Sequence, residues 1–131
     1  MTTMNDALVA YVNADAATAA LQANRFYHLR LPDEAVLPAS TFQRIDASRV
    51  YAQSLAGGLP RARYQLTHWG TTPMAAQSLA DAVRKRLDGF HGTMSGVRVD
   101  SVQCEDGPDL DDPETFTFRS IRDYFIQHTE A

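Results

Sequence analysis

Arg63-Tyr-Gln-Leu-Thr-His-Trp69, Pro73-Met-Ala-Ala-Gln-Ser-Leu-Ala-Asp-Ala-Val-Arg-Lys-Arg-Leu-Asp88 and Gly96-Val-Arg-Val99 read in turn as strand, helix and strand. The middle run carries the clearest signals. Thr72 offers a side-chain oxygen at the N-cap, and Pro73 suits the first turn, where its missing N–H costs nothing. Ala76, Leu79, Ala80, Val83 and Leu87 fall on one stripe of a 3.6-residue period. Asp81, Arg84, Lys85, Arg86 and Asp88 cover the rest, with Asp81 and Lys85 spaced for an i,i+4 pair. Gly89 supplies the left-handed residue that stops the helix, and Phe90 packs back on its last turn. Such a helix needs a surface to cover, and the flanking strands are the nearest one.

Outward from this unit the signals thin. Upstream, Asn5 is the expected cap of a first helix with Ala7, Leu8, Tyr11 and Val12 as its stripe, joined by Leu21 after a break. Asp15 re-caps an alanine-rich turn over residues 16–23. Residues 25–31 read as a strand ended by Pro32, and residues 39–46 as another, with Phe42 and Ile45 facing opposite sides. Residues 47–59 read as a long connection or a splayed hairpin tip. Downstream, residues 105–114 form an acidic, turn-rich loop. Residues 115–127 make a long last strand with Phe116, Phe118, Tyr124 and Ile126 on one parity and Ile121 and Phe125 on the other. The expected class is α+β: an antiparallel sheet of mixed strand lengths with two main helices packed on one face.

The 131 residues make one domain, 1–131, without internal repeat or linker. A net charge of −4 argues against a general nucleic-acid binder, which needs a basic face. Cys104 is the single cysteine, so an intrachain disulfide and a cysteine metal cluster are both excluded. The first residues lack the basic and apolar segments of a secretory signal, and no apolar run approaches the ~20 residues that span a bilayer. A cytosolic protein is expected, unless it is built into a particle.

Catalytic constellations are missing. His28, His68, His91 and His128 have no metal-ligand spacing. Gly89, Gly92 and Gly96 follow a helix, so they read as a cap and a tight turn, not a phosphate cradle. Ser95 misses the nucleophile-elbow spacing. The acidic run at residues 109–114 lacks the glycine of a calcium loop and contains Pro113, so it reads as solvated. No enzyme, metal or cofactor is expected. What remains is charge. Arg44, Arg49, Arg61 and Arg63 form the most basic group, either a solvated sheet face or a surface for an acidic partner.

Four pieces in order carry a resemblance: residues 7–15; residues 25–32 with 37–45; Arg61-Ala-Arg-Tyr-Gln-Leu66; and residues 80–92. Gly96-Val-Arg-Val99, the acidic segment and a closing strand follow. Together they resemble the tail completion or tail terminator proteins of long-tailed bacteriophages and gene transfer agents, over nearly the whole chain. The resemblance implies a virion subunit, assembled in the host cytoplasm, that forms a homo-hexameric ring at the head-proximal end of the tail. Such a ring ends polymerisation of the tail tube and meets the tube protein on one face and a head completion or neck protein on the other. DNA passes through its lumen without sequence-specific binding. No catalysis, cofactor or membrane is implied. Another head–tail joining protein and a small cellular ligand-binding domain are the competing readings.

A cyclic ring needs two different patches per subunit, each the complement of its neighbour's other. Asp106, Asp109, Asp111 and Asp112 are therefore expected to meet Arg44, Arg49, Arg61 and Arg63 across a subunit boundary, with Tyr51, Phe116 and Phe118 as apolar anchors.

Overall fold

The computed structural model describes residues 3–50 and 59–128, with side chains set aside at 46–50 and 59–60. The elements are α1 (Met4–Asn13), α2 (Ala16–Gln22), β1 (Phe26–His28), β2 (Ala39–Val50), β3 (Leu59–Gly70), α3 (Pro73–Leu87), β4 (Gly92–Met94), β5 (Val97–Asp112) and β6 (Thr117–His128). The class is α+β. The strands form one sheet in the order β1-β2-β3-β6-β5-β4. Every pair is antiparallel except β1 with β2, so the sheet is mixed and not purely antiparallel. A third helix, α2, accompanies the two main ones.

The central unit follows its local chemistry. Thr72 caps α3 by accepting from the Ala75 N–H at 3.1 Å, and the whole stripe from Ala76 to Leu87 is buried. Gly89 has φ +80°, the left-handed value a Cβ disfavours. Its N–H goes to the Val102 carbonyl, tying the helix end to β5. Leu79, Val83 and Leu87 of α3 join alternate residues of β3 (Ala62, Tyr64, Leu66) and β6 (Tyr124, Ile126) in a hydrophobic cluster with Met4, Ala7, Leu8 and Val12 of α1.

Several expectations need correction. Thr3, not Asn5, caps α1, in a reciprocal box with Asp6. Asn5 lies inside the helix, where its Oδ1 accepts from the Tyr64 hydroxyl at 2.6 Å. Asp81 does not wait for Lys85: its carboxylate takes the Arg122 guanidinium on β6 at 2.9 Å. The strand expected over 25–31 is three residues long, cut short where Leu29 takes φ +74°. β2 continues to Val50 and β3 begins at Leu59, so both ends of the expected connection are strand; its residues 51–58, Tyr51 among them, lie outside the described residues. Phe42 is buried and Ile45 exposed, but a register shift beside Ile45 lets the strand continue.

The acidic segment is the largest correction. It is not a loop but the second half of β5, paired with β6 as far as Asp112 opposite Thr117. Turn-forming residues misled because Gly107 and Pro108 sit at a bulge, where one extra residue is absorbed. A Cβ on Gly107 would come within 2.6 Å of the Ile121 carbonyl oxygen, so only glycine permits this approach. The true turn lies at residues 113–116. Phe116 is in it, at φ +56°, and not on the strand with Phe118.

Candidate assembly interface

The register places the basic group at one end of the sheet. Arg61 and Arg63 project from β3 over the Phe125 ring, their guanidinium carbons 4.4 and 5.7 Å from its centroid. Arg63 also donates to Asp123 at 2.7 Å. Arg44 is exposed on β2, level with Tyr64. Burial holds the Tyr64 phenol above its usual pKa, against the opposing pull of Arg44. Arg49 stands opposite Pro60, further toward the same end.

The acidic residues sit at the other end. Asp106 approaches Arg122 at 3.6 Å, and Asp109 accepts from the Ser120 hydroxyl at 2.8 Å. Asp112 accepts from the Glu114 N–H at 3.1 Å, and Asp111 stands exposed opposite Phe118. Phe118 is half-buried in a cleft of about 340 Å³ between the hairpin and the start of α3, with Pro73, Ala76 and Leu110 as apolar walls. Phe116 (80 % exposed) and Met74 (76 % exposed) stand free at this end.

The separation is measurable along the strands. Arg63 is level with Phe125 and Gln103, whereas Asp111 is level with Phe118 and Gly70. Seven strand steps on β6, from Phe125 to Phe118, separate them, roughly 23 Å at the usual strand rise. Within one subunit Arg63 and Asp111 therefore do not touch. Within the subunit Asp106 approaches Arg122, and Arg63 pairs with Asp123.

Level with Asp109, on the helix-covered face, lies a buried polar chain that the sequence reading overlooked. The Ser40 hydroxyl donates to Gln22 Oε1 at 2.7 Å and lies 2.8 Å from His68 Nδ1. A hydroxyl has one proton. With that proton on Gln22, His68 must donate from Nδ1, which leaves Nε2 as a bare acceptor. Among the described residues no partner reaches Nε2. Burial, followed by the nearby Arg122 charge, pulls the His68 pKa down to about 3. The ring is therefore neutral at ordinary pH. The available signal was parity: His68 shares the face of Tyr64 and Leu66. Burial also pushes up the Cys104 thiol and the Tyr124 phenol. Among the described residues, no group of three His, Cys, Asp or Glu stands close enough to hold a metal, and no helix is long and apolar enough to cross a membrane.

Comparison with known proteins adds two observations. The family model of tail completion protein gp17 matches residues 6–127. The structure is similar to a chain in the virion of a native gene transfer agent particle, with a TM-score of 0.72 and 18 % identity, covering 98 % of this chain and 96 % of that one. At that identity the likeness speaks for the fold. No curated protein matches in sequence.

Proposed function

The chain belongs to the tail completion protein gp17 family, and from that membership we propose that it is the subunit of a tail terminator ring. It is a structural protein of the virion and its tail. In our reading one domain spans the chain and its helices gather on one face of the sheet. Six copies close into a ring at the head-proximal end of the tail. One face of the ring caps the tail tube and ends its polymerisation; the other receives a head completion or neck protein. The work is positional, with no catalysis, metal or cofactor. DNA passes through the lumen, and a net charge of −4 suits a passage that must not hold a polyanion.

The observation that carries this reading is the placement of opposite charges at opposite ends of one sheet. A surface of that kind is complementary to the next copy, not to itself, and a heterologous contact that repeats by rotation closes a ring. Asp106, Asp109, Asp111 and Asp112 of one copy face Arg44, Arg49, Arg61 and Arg63 of the next. Phe116 and Phe118 supply the apolar anchor, with Tyr51 as a further candidate. Rim charges of this sort govern register and association rate more than affinity.

The test is reconstitution. Purified protein is added to polymerising tail tube protein, and tube length and end structure are read by electron microscopy, with native mass spectrometry of the free protein. Six-membered rings on one tube end, with shortened tubes, are expected. Protein that stays monomeric beside unmodified tubes overturns the reading. Binding to portal-capped heads without tubes assigns it to the head side of the neck instead.

A further inference from the structure

Two long strands overhang two short edge strands. β1 pairs with β2 only at Ser40, Thr41 and Phe42, so the outer edge of β2 from residue 43 to residue 50 meets no strand among the described residues. β4 pairs with β5 only at residues 97–99. The Gly89 N–H then occupies the Val102 carbonyl, and the Asp88 carboxylate accepts from the Cys104 N–H. From residue 105 to residue 112 the outer edge of β5 is open among the described residues. Open edges invite another strand.

Charge decides which strand is admitted. The β5 overhang carries Glu105, Asp106, Asp109, Asp111 and Asp112. The β2 overhang carries Arg44 and Arg49 against one acid, Asp46, and is net basic. Two β5 edges repel each other strongly and two β2 edges weakly, while β5 beside β2 attracts. Protection against the wrong pairing thus coincides with selection of the right one. Among the described side chains, each overhang also bears an exposed apolar residue, Leu110 on β5 and Ile45 on β2.

Resting on the ring reading above, we propose that neighbouring copies join by strand pairing. The outer edge of β5 at residues 109–112 in one copy runs antiparallel beside the outer edge of β2 around Arg44 in the next, with Arg44 next to Asp111. Direction permits it. β2 and β5 are antiparallel within a copy, since β3 and β6 intervene with each step antiparallel. Rotation about a ring axis preserves that relation.

The steps in the sheet outline fix the offset. Arg44 is level with Tyr64, Tyr124 and Cys104. Asp111 is seven positions beyond Cys104, one of them absorbed by the bulge at Gly107 and Pro108. The next copy therefore slides about six residues, ~20 Å, along the strands. At that offset its β1 clears the hairpin end, and β4 lies below the overlap. Four long strands span ~19 Å of sheet width. A slide of ~20 Å per repeat inclines the strands roughly 45° to the ring axis, at the upper end of the tilt found in closed barrels. The short edge strands act as stops that set the slide.

Disulfide mapping tests the contact. Arg44→Cys and Asp111→Cys, combined in a Cys104→Ser background, should give a covalent ladder up to the full ring on mild oxidation, read on a denaturing gel. Each single cysteine should give monomer only. Native mass spectrometry of the same samples reports whether rings are present. Intact rings without a ladder overturn the strand pairing and leave the ring standing. Dimers from either single cysteine overturn it too, since they mark like edges meeting. Absence of rings in the unsubstituted protein under tube-assembly conditions overturns both readings. With Cys104 retained, Arg44→Asp or Asp111→Arg alone should lower ring yield at least tenfold, and the two together should restore it. Failure of the exchange to restore rings, with folded monomers by circular dichroism, also overturns the pairing.

Discussion

The two faces of β3 and β6 are built from alternate residues of the same strands, yet they obey different rules. One face carries Ala62, Tyr64, Leu66 and His68 beside Ser120, Arg122, Tyr124 and Ile126, all buried. The other carries Arg61, Arg63 and Trp69 beside Arg119, Asp123 and Phe125, all intermediate in exposure. The buried face is apolar toward Ala62 and Ile126 and polar toward His68 and Ser120, at the hairpin end. The second face is held by guanidinium–ring contacts, such as Arg119 over Trp69 at 5.2 Å, which need no covering layer. The difference shows where stability and assembly separate. Changes on the first face should unfold the monomer, while changes on the second and at the hairpin should spare it and disturb the particle.

The largest effect is expected where α3 meets the buried face. Leu79→Asp or Val83→Asp places an unpaired carboxylate among fully buried neighbours and should cost about 4 kcal/mol or more. Chemical unfolding measures it. A melt like that of the unsubstituted protein for both variants would remove this face as the core.

Next comes pH. The folded His68 pKa is about 3, far below its ordinary 6.5. In that interval the unfolded chain binds a proton that the folded chain refuses. The neutral ring's contribution is complete above pH 6.5 and is lost as pH falls toward 3, at up to about 1.4 kcal/mol per pH unit. Urea midpoints from pH 7 to 4 read the slope, and His68→Gln should flatten it. An unchanged slope in that variant would assign the acid sensitivity to other groups.

Smaller still is the charge reversal on the other face. Arg61→Glu with Arg63→Glu sets a glutamate against Asp123, but the Arg63 side chain is 40 % exposed, so solvent screens the contact. About 1 kcal/mol of monomer stability should go, while ring formation at low salt should fail. Loss of the fold itself would erase the distinction between the faces. Asp111→Arg with Asp112→Arg should change monomer stability by less than about 0.5 kcal/mol. That pair should also abolish rings, yet associate in part with the arginine-reversed protein when the two are mixed. Rings formed by both variants alone at ordinary salt would remove charge from the interface.

How much was legible depends on how local the cause is. The cap, proline, stripe and stop of α3 lie within residues 72–89, and each acts on its near neighbours, so the helix could be read to within a residue. Asp15 at the start of α2 was legible for the same reason. Asn5 gives a false cap signal because Thr3, two residues earlier, takes the cap, and the Tyr64 hydroxyl, 59 positions away, takes the Asn5 side chain. The acidic strand was misread because its propensities favour a turn, while pairing with β6 satisfies its backbone. Candidate interface residues could be found as concentrations of like charge. Their relative positions depended on strand register, which composition does not encode.

By itself the sequence determined the α+β class, α3, the alternation that makes β6 two-faced, and the family to which the chain is similar. These follow from periods of two and 3.6 residues and from the order of segments, all present in one dimension. Only the tertiary structure decided that the acidic residues form a strand, that Arg122 holds Asp81 and Asp106, and that Ser40 and His68 share a buried chain. It also decided that the two charged groups stand at opposite ends of the sheet. Each of these depends on which distant segments pair and in what register. That choice is made by the burial of the whole sheet against its helices, a sum over many residues that no short stretch contains.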